Sequence, residues 1–231
     1  MIPLTWIEGK GVFDLIKSIQ GLLGARRTRL LAVAFCDRVV HLLQHDICRD
    51  WLEVARRYAD KKAHRTEMAK THSAAEDAYV RFGQPTALRG MAIQSTLCAL
   101  AYTLNPTRRY YAQVVATFAA QASGYDASDR TGQIVAYAPE NALQLRLLRD
   151  VLGRPDDLPT AEIKDWLGWH GGLVPKLARG IYEDRVFEQL PILSDALEDA
   201  GCADEAMLAH CRGPGPHVRG CWVVDLLLEL G

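Results

Sequence analysis

The chain has 231 residues, 49% of them hydrophobic, with 27 Lys and Arg against 28 Asp and Glu. A chain of this size buries roughly 70% of the surface it exposes when unfolded, so neither a disulfide nor a metal is required for a core. The balanced charge does not support the basic face by which nucleic-acid binders displace phosphate counterions. No apolar run reaches the ~18–20 residues of a membrane span.

Residues 3–24 predict a short amphipathic helix, closed by Gly21 and Gly24. Arg26, Arg27 and Arg29 follow and read as a solvated helix start, with a patch for phosphate or an acidic partner as the other reading. From Thr28 to His45 the chain is apolar on most sides, which predicts a buried helix. Asp46 is placed to cap the next helix, where Ile47, Trp51, Val54, Ala55 and Tyr58 recur at the helical period. Residues 60–75 are polar and form a connection, or the solvated start of a helix that reaches Phe82 and stops at Gly83 and Pro85.

A helical hairpin is expected next. Its first helix carries Ile93, Leu97, Leu100, Ala101 and Leu104, and its second Tyr111, Val114, Val115, Phe118, Ala119 and Ala122. Asn105 and Pro106 between them suit an N-cap and a first helical position. A loop follows over 124–139. Its segment DASDRTG superficially resembles a calcium loop but lacks the twelfth-position Glu and the full ligand alternation. Residues 139–152 form a further helix with Leu143, Leu147 and Leu148 inward, and RPDDLP after Gly153 reads as a linker.

The tail, from Ile181 onward, is densely punctuated. Pro191 and Gly201 bound one helix, Gly213 stops the next, and Pro216 after the GPGP run is placed to open the last. Cys221, Trp222, Val223, Val224 and the leucines 226–228 predict a buried terminal element. No alternating strand pattern or hairpin turn competes. The fold class is all-α: a multi-helix bundle over residues 1–152, with a smaller C-terminal helical module over 160–231 packed on it through the last helix.

No GxxxxGK[ST], GxGxxG, GxSxG or HExxH motif is present, so no cofactor and no catalytic residue is assigned. The six cysteines read as reduced thiols of a cytoplasmic protein, since MIPLTWIEGK has no signal-peptide core. Two Cys/His groups remain. Cys36, His41, His45 and Cys48 would share a helix face only in part, with Asp46 breaking the helix. Cys202, His210, Cys211, His217 and Cys221 are the candidate metal ligands. On a helix His217, Cys221 and Asp225 would stack in a column, and His210 or Cys211 across the turn would complete a tetrahedron. The competing reading is core thiols beside a capping histidine.

The segments RRTRLLAVAFCDRVVHLL, VARRYAD, LARGIYEDRVFEQLPILSDALEDAGC and LAHCRGPGPHVRGCWVVDLLL resemble a family of helical proteins from planctomycete bacteria of the Gemmata type. The resemblance is specific in the tail and loose in the middle of the chain. It implies a helical fold and a bacterial, intracellular setting, and brings no activity, cofactor or catalytic residue with it. The many related copies in one genome suit an interaction module better than a metabolic enzyme. Sequence and resemblance together point to a non-enzymatic protein-interaction or scaffold module with a protein partner. A zinc-stabilised regulatory module using the tail's Cys/His group is the first alternative. An enzyme with dispersed active-site residues is the second. Nucleic-acid binding through Arg26, Arg27, Arg29, Arg108 and Arg109 is the weakest.

Overall fold

The computed structural model describes residues 12–107, 111–126, 138–153 and 160–230. These residues are all-α, with no strand among them. The chain divides into two compact units, one running from Leu4 to Leu148 and the other from Arg149 to the C-terminus. No helix among the described residues is long and apolar enough to cross a membrane. The calcium-like loop beyond Asp126, the linker 154–159, Arg108 and Arg109 lie outside the described residues.

The first unit holds α1 (Val12–Asp37), α2 (Ile47–Ala59), α3 (Arg65–Phe82), α4 (Leu88–Leu104), α5 (Ala112–Asp126) and most of α6 (Ala138–Leu152). Its centre is α4, which packs on α1, α2, α3 and α5. Nearly every side chain of α4 from Ser95 to Leu104 is buried, and many are small. On α5 Phe118 meets Tyr102 of α4, with ring centres 6.0 Å apart, whereas Ala116 and Ala120 lie on the other side, beside Val12, Phe13 and Gln144. Arg89 at the start of α4 bonds Asp126 at the end of α5 (2.9 Å), so the two helices run antiparallel as expected. The buried hydroxyls on α4 do not remain orphaned, because Thr96 and Thr103 donate to the carbonyls of Ala92 and Ala99.

Gly24 interrupts the helical backbone as expected, although a second helical stretch follows at once, so that α1 is two helices joined at a kink. Gly24 has a non-helical backbone (φ 65°, ψ 169°), and Thr28 Oγ1 donates to its carbonyl at 2.6 Å. Several local expectations are corrected. The second stretch of α1 ends at Asp37 rather than His45, and a short 3-10 turn follows at Val40–Leu42. Asp46 makes no cap bond and instead pairs with Arg49 at 2.8 Å. The buried row of α2 is Cys48, Leu52, Ala55 and Ala59, about one position from the expected stripe, and Ile47 faces solvent. Asn105 does not cap α5. Its Oδ1 accepts from Thr107 N and Oγ1 (2.9 and 2.8 Å), a local turn, and α5 starts only at Ala112. On α6 the inward positions are Gln144, Leu147 and Leu148, with Leu143 only half-buried.

The second unit contains α7 (Thr160–Gly168), α8 (Leu173–Asp184), α9 (Leu190–Asp199), α10 (Glu205–Arg212) and the six-residue α11 (Trp222–Leu227). α8 buries Val174, Ala178, Ile181 and Tyr182, an i, i+4, i+7, i+8 stripe. α9 begins with Pro191 in its first turn and stops before Gly201 (φ 89°). Asp204 caps α10 by accepting from Met207 N at 2.8 Å. The core gathers Trp166, Leu193, Leu197, Met207, Trp222 and Val223 with the buried thiols of Cys202, Cys211 and Cys221. Pro216 does not open the last helix. Residues 213–221 form an irregular segment with a cis Gly215–Pro216 bond, and the helix begins only at Trp222.

Candidate metal centre

Without a helix over 216–225, the expected column of His217, Cys221 and Asp225 does not form. The irregular segment nevertheless folds two of these side chains onto α10. Gly215 takes a left-handed backbone (φ 66°), and a Cβ there would meet His217 N at 3.0 Å, so glycine is what allows His217 to double back. Arg219 anchors the segment on α8. Its guanidinium lies 5.0 Å from the centre of the Tyr182 ring and donates to the carbonyls of Tyr182 and Glu183 at the open C-terminal end of that helix. Cys221 then stands at the N-cap position of α11.

The fourth participant is Asp150, in the last turn of α6 and only 2% exposed. Its Oδ2 accepts from Val218 N at 2.9 Å. Its Oδ1 lies 2.7 Å from His217 Nδ1 and 3.1 Å from His210 Nε2. His210 Nε2 is in turn 3.3 Å from Cys221 Sγ. One ligand atom from each of Asp150, His210, His217 and Cys221 therefore falls within 4.8 Å of all the others. Zinc holds N, O and S donors at about 2.0–2.3 Å, which separates neighbouring donors of a tetrahedron by about 3.3–3.8 Å. The observed spacings bracket that range, and opening the shortest contact by about half an ångström makes room for an ion.

The surroundings suit this chemistry. His217 Nε2 sits 3.3 Å from the carbonyl of Gly213, an outer hydrogen bond that would orient the ring with Nδ1 toward an ion. The Val218 amide orients the carboxylate in the same way. Burial pushes the Asp150 carboxyl up, but the hydrogen bonds from His210 and His217 outweigh it and hold the group below its ordinary range. Burial, reinforced by the Asp150 charge, raises the Cys221 thiol well above its usual value.

The same arrangement does not resemble a catalytic Cys-His-Asp relay. Such a relay places the thiol on one imidazole nitrogen and the carboxylate on the other. Here His210 meets both groups with Nε2. Cys221 is fully buried, and a raised thiol is a poor nucleophile.

Of the sequence candidates, His210, His217 and Cys221 come together, whereas Cys202 and Cys211 do not join them. Cys202 is buried against Met207, with the sulfurs 4.0 Å apart, and burial pushes the Cys211 thiol up to about 12. Asp225 is buried on α11 and is not part of the cluster. The other group stays apart: Cys36 is buried against Thr103 Oγ1 at 3.2 Å, whereas His41 and His45 are exposed. Sequence reasoning missed Asp150. The available signal was an acid at i+7 from Leu143 and i+3 from Leu147, on the apolar side of α6 where an unpaired carboxylate would be costly.

No family model, curated protein or solved structure matches the chain.

Proposed function

We propose that the chain is a non-enzymatic helical protein whose C-terminal unit is organised by a structural zinc ion bound to Asp150, His210, His217 and Cys221. The observation that carries this reading is the convergence of four donors from three separate segments: the end of α6, α10 and the 213–221 segment. Four protein ligands leave no open position, the arrangement of structural rather than catalytic zinc. A mixed N, O and S donor set favours zinc over the hard, all-oxygen cations. Bound zinc would displace the Cys221 proton, convert two close imidazoles and a buried carboxylate into one neutralised centre, and fix the terminal segment against α8 and α10. An interaction or scaffold role fits such a closed, rigid unit, and its partner is then a protein that reads the unit's surface.

The test is metal content by elemental analysis of protein purified without an affinity tag, followed by cobalt substitution. One equivalent of zinc per chain is expected, as is a cobalt spectrum with the intense visible bands of tetrahedral geometry and a thiolate charge-transfer band that disappears in Cys221→Ser. Substoichiometric metal together with no cobalt spectrum would refute the proposal.

A further inference from the structure

The first unit carries a cleft of about 640 Å³ that the zinc proposal does not use. Its size falls in the range of small-molecule sites. We infer that this cleft binds a small organic phosphate through Arg29, Lys61, Arg65 and Tyr111.

Arg29 is the central observation. It follows the bend of α1 and is buried, at 6% exposure, which corrects its reading as a solvated helix start. One guanidinium nitrogen donates to the carbonyl of Thr103 at 2.5 Å and the other to that of Asn105 at 3.1 Å. The rings of Tyr58 and Tyr111 lie 5.1 and 5.2 Å from its carbon. No carboxylate pairs with it among the described residues, although its neighbour Arg26 is held by Asp60 at 3.0 Å. A buried cation satisfied only by carbonyls and aromatic faces retains both charge and unused N–H donors. It is therefore prepared for an anion.

Three further features converge on the same cleft. Tyr111 lines it, is 1% exposed, and has a hydroxyl with no hydrogen-bond partner among the described residues. Lys61 and Arg65 lie on its wall without an acidic partner among the described residues. Lys61 also holds a left-handed backbone (φ 59°) directly after α2, with Lys62 N bonded to the carbonyl of Arg57 at 2.7 Å. Glycine occupies such a helix-end position with less strain. A lysine kept there in an unfavourable conformation places its charge at the cleft. Among the described residues no acid lines the cleft to oppose these cations. The forked guanidinium groups match phosphate oxygens.

Pyrophosphate is the probe, titrated into the full chain by calorimetry at low ionic strength, with sodium chloride at matched ionic strength as the control. Saturable binding is expected, with affinity falling roughly tenfold or more in the double variant Lys61→Ala/Arg65→Ala, whose exposed side chains can be removed without opening the core. Tyr111→Phe is expected to melt at or above the wild-type temperature, because it removes an unsatisfied hydroxyl, while still weakening pyrophosphate binding. No heat beyond the salt control, or unchanged affinity in the double variant, would overturn the inference. So would a single-stranded oligonucleotide that binds about tenfold more tightly than pyrophosphate, since the occupant would then be a polymer.

Discussion

Asp150→Asn separates the electrostatic role of this carboxylate from its role as a ligand. Asparagine retains an oxygen for Val218 N, and its amide can donate to a neutral His217 Nδ1, so the metal-free variant should lose only about 1–2 kcal/mol. Its effect on metal binding should be far greater. At free zinc 100-fold above Kd, the bound ion adds about 2.7 kcal/mol to wild-type stability. In a unit of fewer than about 100 residues each kcal/mol shifts Tm by about 4–8 °C, which gives a wild-type gain of roughly 10–20 °C. If losing the carboxylate weakens binding by about 100-fold, the upper end of the effect of losing even an outer-shell partner, the same free zinc sits near the variant's Kd and contributes only about 0.4 kcal/mol, or about 2–3 °C. The assay is differential scanning calorimetry of chelator-stripped protein in zinc-buffered solution. The zinc-dependent change in tryptophan fluorescence that is lost in Trp222→Phe provides a local reading, because that indole lies 5.4 Å from the His210 ring. Zinc shifts of equal size in both proteins, or no shift in the wild type, would refute the proposed ligation.

Gly153→Ala should destabilise the second unit by roughly 2–4 kcal/mol in denaturant melts, because the added Cβ would lie 2.5 Å from Trp222 on a backbone at φ 69°. Ala119→Leu should cost about 1–3 kcal/mol by overpacking the core around this fully buried position, and an unchanged midpoint would contradict that burial. Glu140 accepts two hydrogen bonds from Arg38 Nε (3.0 and 2.9 Å), yet burial outweighs them and its carboxyl stays above the ordinary value. A carboxyl raised in the fold stabilises most below its unfolded value of 4.5 and loses that contribution as pH rises through the folded value. The stability of Glu140→Gln relative to wild type should therefore improve between about pH 4 and pH 7 in parallel melts, and a decline would reverse the assignment. Deleting residues 217–231 removes two ligands together with the buried Trp222, Val223, Val224 and Leu227, so the second unit should lose its cooperative transition. A truncated chain that keeps it would disprove the tail's place in the core of the second unit.

Helix punctuation was the most legible part of the sequence. Gly83, Gly153, Gly201 and Gly213 stand where helices end, and Pro191 where one begins, because these residues act through their own backbones. Features set by distant partners were harder to read. The inward face of α2 differed by about one position because tertiary packing selected Cys48 and Leu52 over Ile47. The three tail members of the cluster could be named because they are close in sequence. Asp150 could not, because only the folded chain brings an acid sixty residues upstream of His210 into contact with it. Arg29 was misjudged for a related reason, since nothing next to it in sequence foretells the carbonyls of α4 and the two tyrosines that enclose it.

The donors divide unevenly around the stretch 154–159: Asp150 precedes it, and His210, His217 and Cys221 follow it. A cut in that stretch would leave three donors on the downstream piece. Three protein ligands with one vacancy admit water and resemble the catalytic class of zinc site. Under the proposed ligation, coordination number would then record whether the backbone is intact: the unbroken chain would hold a saturated ion, and a severed chain that loses Asp150 would hold one with an open position.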